Sequence, residues 1–108
     1  MSQNFSTFEE FWPFYVGEHL HPATRKLHFV GTTLGVGVAS CGYWAIGLVL
    51  AYGCAWIGHF GFEKNRPATF KHPLYSLRGD ARMWRLIATG KMDAEITRLG
   101  RAGAFTLR

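Results

Sequence analysis

From Leu27 to Phe62 the chain runs for 36 residues without an Asp, Glu, Lys or Arg. A bilayer-spanning helix needs about 20 residues, so this run is too long for one span and just long enough for two short ones. Eight of the 13 glycines fall inside it, and Gly42 stands near its middle as the natural turn. The pattern predicts apolar helices over about 23–41 and 43–62. Pro22 suits the first turn of the former, and Pro67 stops the latter from continuing far.

Both predicted helices carry small residues at four-residue spacing, Gly31 and Gly35 on one and Gly47, Ala51 and Ala55 on the other. Such spacing lets helix backbones approach closely where lipid supplies no hydrophobic drive. Glycine and alanine are also simply common in spans. The fold class expected is all-α: a short transmembrane helical hairpin flanked by amphipathic interfacial helices, one membrane-associated domain over residues 1–108. A soluble buried hairpin is the competing architecture, because the mean hydropathy is only +0.01.

Charge is distributed unevenly around the apolar run. Arg25 and Lys26 precede it, the other ten basic residues follow it, and none lies near Cys41–Gly42. By the positive-inside tendency both ends of the hairpin belong in the cytoplasm, as in an integral protein of a bacterial-type inner membrane. A net charge of +5 could attract nucleic acid, but no nucleic-acid-binding motif appears and anionic lipid is the simpler partner. The acidic N-terminal stretch lacks the basic n-region of a signal peptide. Cys41 and Cys54 have no CxxC partner and read as packed small hydrophobes, with no disulfide framework.

Outside the run, Phe8, Phe11, Trp12 and Tyr15 mark one helical face, with Ser6/Glu9 or Thr7/Glu10 as a capping box. Pro13 should kink or divide that helix. Its aromatic face suits packing, either at the membrane surface or against the hairpin. ATFKHPLYSLRG reads as loop or a short turn. Asp80 then caps a helix bearing Met83, Trp84, Leu86 and Ile87, flanked by Arg82, Arg85 and Lys91 and stopping near Gly90. A last short helix is expected over Asp93–Leu99, with a frayed tail beyond.

Five histidines remain: His19, His21, His28, His59 and His72. With the turn at Gly42, His28 lies 14 residues before it and His59 lies 17 after it. At a rise of 1.5 Å per residue their heights along antiparallel helices differ by only about 4–5 Å. The break at Pro22 lets His19 fold back toward them, and Pro67 and Pro73 return His72 to the same end. Glu63 follows His59 by one helical turn. Neutral imidazoles suit zinc or iron, and ionisable groups near membrane depth usually carry function. A haem held by two histidines would need a four-helix cavity, available only to a homo-oligomer. No nucleophilic triad or phosphate loop is evident.

The segments YVGEHLHPATRKLHFVG and WIGHFGFEKNRPATFKHP, separated by two apolar helices, carry a resemblance. They are similar to fungal and bacterial membrane proteins whose characterised fungal member is an iron(II)-dependent 2-hydroxy fatty acid dioxygenase of α-oxidation. Tyr15-x3-His19-x8-His28 and Gly58-His59-x3-Glu63-x3-Pro67-Ala68 are its specific pieces. The resemblance implies one Fe(II) held by His19, His28 and His59, with His72 as a fourth candidate. It implies O₂ and a 2-hydroxy fatty acid as substrates, the acid losing one carbon as CO₂. Lys64 or Arg66 would then pair with the substrate carboxylate, although positive-inside topology accounts for both equally well. Glu63 would orient a ligating histidine, or else cap a helix end.

Two other classes fit the same residues. One is a non-enzymatic membrane module whose histidines are merely interfacial. The other is a histidine-rich zinc or di-iron lipid enzyme, which paired HxxxH or HxxHH boxes would favour and which this chain lacks.

Overall fold

The computed structural model describes residues 5–105. Among them there are five α-helices and no strand: α1 (Phe8–Gly17), α2 (Pro22–Ser40), α3 (Trp44–Ile57), α4 (Pro73–Ala88) and α5 (Met92–Arg101). A π-helical turn, Gly58–Glu63, continues α3, and a 3₁₀ turn, Ala68–Phe70, precedes α4. Contacts divide the chain into two units, residues 19–67 and a discontinuous unit in which residues 5–18 join 68–105.

In the 19–67 unit, α2 and α3 meet along their glycines. A Cβ on Gly35 would lie 2.5 Å from the Gly47 carbonyl oxygen and 3.0 Å from the Ala51 methyl. One on Gly31 would lie 2.6 Å from Cys54 Cβ. At Gly35 and Gly47 the two backbones are therefore in contact, and the seam has no room for a further side chain there. Gly42 turns the chain at φ 99°, a left-handed geometry that side-chain-bearing residues rarely adopt. Cys54 packs as expected, but Cys41 is exposed, because it caps α2 beside the turn instead of facing α3. Trp44–Glu63, α3 with its π-helical continuation, is the one described helix long and apolar enough to cross a membrane. Val49, Ile57, Leu48 and Phe60 on it are all exposed.

In the other unit, Phe8, Phe11, Trp12, Tyr15 and Val16 of α1 form a core with Met83, Met92 and Leu99 from α4 and α5. Thr7 caps α1, its hydroxyl accepting from the Glu10 N–H at 3.2 Å. Trp12 stacks on Tyr15 and donates its indole N–H to Glu95 at 2.7 Å. Pro13 neither divides nor ends α1. The carbonyl deprived of its helical donor is that of Glu9, an exposed residue that water can reach.

The start of α4 differs from expectation. Asp80 does not cap it, because the helix begins seven residues earlier with Pro73 in its first turn, and the Ser76 N–H closes onto the His72 carbonyl at 2.8 Å. A proline at that position is preorganised for helix and lacks only an N–H that would go unbonded. Much of KHPLYSLRG is thus helix, and Asp80 lies mid-helix, where it accepts the Tyr15 hydroxyl hydrogen. α5 begins one residue before the expected start and ends two beyond; the last part of the tail expected after it lies outside the described residues.

Two predictions follow from this packing. Gly35→Ala should destabilise the helix pair by about 1–3 kcal/mol, the usual cost of overpacking, while Gly37→Ala, whose Cβ meets nothing within 4 Å, should cost nothing. Thermal unfolding followed by circular dichroism checks the contrast. Burial raises the Asp80 carboxyl to about 6, with the Tyr15 hydrogen bond opposing the shift. The folded state therefore holds this proton where the unfolded chain has released it. The stability that Asp80 contributes is fully present below about pH 4 and is lost as pH rises through about 6. Asp80→Asn keeps an acceptor for Tyr15, so its melting temperature relative to wild type should rise between pH 4 and 7.

Candidate metal centre

Three histidines converge inside the 19–67 unit. His19 Nε2 lies 3.1 Å from His28 Nε2, which lies 3.2 Å from His59 Nε2. The rings meet edge to face, with centroids 4.5–5.3 Å apart. All three side chains are buried, His19 completely. The same nitrogen of each ring points inward, as a shared ligand would require.

Each ring is placed by a separate local device. His28 sits in the second turn of α2, whose N-terminus is set by Pro22 and by the His21 side chain accepting from the Ala23 N–H at 3.0 Å. His19 precedes that helix in a turn clamped by Arg25, whose guanidinium donates to the His19 and Leu20 carbonyls at 2.9 and 2.8 Å. His59 belongs to the π-helical turn, a geometry that occurs mostly as single turns and often at functional sites. Gly58 lets that turn press on α2, where the Thr24 hydroxyl donates to the Gly58 carbonyl at 3.3 Å. A Cβ on Gly58 would come within 2.9 Å of the Thr24 methyl.

Lys64 then adopts a left-handed conformation, φ 62°, and reverses the chain. Asn65 is brought back over His59, its N–H donating to the His59 carbonyl at 3.0 Å. Its Oδ1 meets the His59 Nδ1 at 2.7 Å. An amide oxygen only accepts, so Nδ1 carries the proton and Nε2 keeps its lone pair for the centre of the cluster.

The donor set fits a metal ion. Cations bound to imidazole at about 2.0–2.1 Å hold neighbouring ligand nitrogens about 3 Å apart, the spacing that His28 Nε2 has to both His19 and His59. Nitrogens this close can share a proton in a hydrogen bond or share a cation, and a metal ion engages all three lone pairs at once. An all-nitrogen set suits a borderline transition metal and does not suit Mg²⁺ or Ca²⁺.

Glu63, Lys64 and Arg66, named from the sequence, lie outside the cluster. The Glu63 carboxylate accepts the backbone N–H of His21 at the start of α2, a favourable place for negative charge. The carboxamide on the outer nitrogen of His59 is instead that of Asn65, which sequence reasoning missed. Six residues separate the pair, a spacing that an α-helix does not bring together; only the π turn and the reversal at Lys64 do so. Lys64 and Arg66 are exposed on the following loop. His72 belongs to the other unit, where its ring lies edge-on to Phe5 and Phe11 at 5.2 and 5.5 Å.

A family profile described as 2-hydroxy-palmitic acid dioxygenase Mpo1-like matches residues 5–92. The chain belongs to this family. The matched span holds all five histidines and both segments that carried the resemblance. Searches of curated proteins and of solved structures return no match.

The Asn65 contact makes a prediction of its own. Long-range ¹H–¹⁵N spectra of histidine-labelled protein should show His59 in the Nδ1–H tautomer, and Asn65→Leu should shift it toward Nε2–H. An unchanged tautomer in the variant would mean that Asn65 does not fix the ring.

Proposed function

We propose that the protein is an Fe(II)-dependent dioxygenase that shortens 2-hydroxy fatty acids by one carbon at a membrane surface. The observation that carries the reading is the convergence of three buried Nε2 atoms in a chain of this family. His19, His28 and His59 would hold the ion. Fe(II) supplies the one-electron chemistry that O₂ needs and that side chains cannot provide. Overall, the hydroxy acid and O₂ give the acid one carbon shorter, CO₂ and water, which balances all atoms and all four electrons.

The chain's own residues account for positioning. Three histidine ligands would anchor the ion without saturating it, so that it could act on O₂ and the hydroxy acid. Asn65 keeps His59 in the ligating tautomer, Arg25 fixes the turn bearing His19, and Glu63 secures the start of the helix bearing His28. If Trp44–Glu63 crosses the membrane, His59 lies about 6 Å from its end. That is the depth at which a fatty acid presents its carboxyl while its acyl chain stays in lipid. Lys64 and Arg66, on the loop beyond, supply cations for that carboxylate. The proposed topology pairs α2 with this helix as a transmembrane hairpin, both termini in the cytoplasm by the placement of the basic residues.

Anaerobically purified, Fe(II)-loaded protein should consume O₂ when given a long-chain 2-hydroxy acid and release the one-carbon-shorter acid with equimolar CO₂. Zn(II)-loaded protein should do neither. His59→Ala should lose turnover and bound iron together, while Lys64→Ala/Arg66→Ala should retain iron and raise KM. Full iron occupancy in wild type with no O₂ uptake on any 2-hydroxy acid would contradict the proposal.

A further inference from the structure

α4 is apolar on two opposite faces. The inward one carries Ser76, Gly79 and Met83, all buried. On the outward side, Leu74, Leu77, Ala81, Trp84 and Ala88 recur at three- and four-residue steps, which at 100° per residue form a single stripe. All five are exposed, with Leu74 at 80% and Leu77 at 59%. Phe70, just before the helix, is 51% exposed. The neighbouring helix of the same unit differs: the outward residues of α5 include Asp93, Thr97, Arg98 and Arg101. Exposed leucine is thus a property of α4 and not of the unit's surface in general.

Charge beside the stripe indicates what covers it. Arg78 and Arg85, seven residues apart, lie along one edge and are exposed. Arg78 rests its guanidinium over the Phe8 ring at 4.4 Å. The only carboxylate on α4 is Asp80, which is engaged by Tyr15. An apolar stripe holding a tryptophan, bordered by arginines and free of acids, is the composition of a helix lying in a bilayer interface. There the arginine stems lie along the apolar surface and carry their charge up to lipid phosphate.

We infer that the outward stripe of α4 beds into the headgroup–acyl boundary of an anionic bilayer, with Arg78 and Arg85 on lipid phosphates. The inference rests on the reading of Trp44–Glu63 as a membrane-crossing helix and adds a second point of lipid contact. It differs from the face expected from sequence: Met83 is in the core, and Leu74 and Leu77, expected in a loop or short turn, take its place.

The test uses the full chain in vesicles of phosphatidylcholine with phosphatidylglycerol, in a Cys41→Ser/Cys54→Ala background. Nitroxide labels are placed singly through Leu77→Cys, Thr97→Cys and Val49→Cys, and their collisions with O₂ and with a water-soluble nickel chelate are compared. The O₂-to-nickel ratio at position 77 should exceed that at 97 severalfold and should fall toward it in Arg78→Glu/Arg85→Glu. Three results would overturn the inference: a ratio at 77 equal to that at 97 while 49 is in lipid; shielding of 77 from both reagents, which would mean a second copy or another protein covers the stripe; and a ratio at 77 unmoved by the charge reversal. An aqueous label at 49 would instead remove the membrane reading itself, and this inference with it.

Discussion

His28 and His59 lie 31 residues apart in the chain, and what brings their rings together is backbone touching backbone between α2 and α3. Gly35 and Gly47 face each other so closely that neither can carry a Cβ. That contact sets the distance between the helices, and the turn at Gly42 sets their relative height. Given both, the second turn of α2 and the π turn beyond α3 meet at one level, and the imidazoles on them meet at 3.2 Å. Widening the helix pair by one methyl group would strain the contacts that hold the donors together, the Gly58–Thr24 contact among them.

The cluster is also held by bonds that spend no ligand nitrogen. Arg25 works on carbonyls, Thr24 on the Gly58 carbonyl, Glu63 on a backbone N–H and Asn65 on the outward side of an imidazole. Such preorganisation matters for metal affinity, since the groups around ligands tune both their orientation and their basicity.

Much of this could be read from the sequence, for an identifiable reason. A charge-free run, a central glycine and small residues at four-residue spacing are one-dimensional signals of helix length, turn and close approach. Height matching followed from counting residues, and it placed His28 beside His59 correctly. Asn65 was not legible, because its position depends on a π turn and a left-handed lysine that no periodicity announces. Asp80 misled because Asp is a good cap, whereas the first-turn proline at position 73 decided where α4 begins. The face that α4 exposes was hidden for a related reason: a helix apolar on both sides gives no single preferred direction, and only the packing of Met83 shows which side is inward.

The central claim is that His19, His28 and His59 together form one metal site. It is tested most directly by anaerobic Fe(II) titration with X-ray absorption at the iron edge. The account predicts one Fe(II) per chain, three imidazole nitrogens in its first coordination shell, and loss of binding on removing any one of the three histidines. Iron that fails to bind, or that still binds once all three are replaced by alanine, would contradict it.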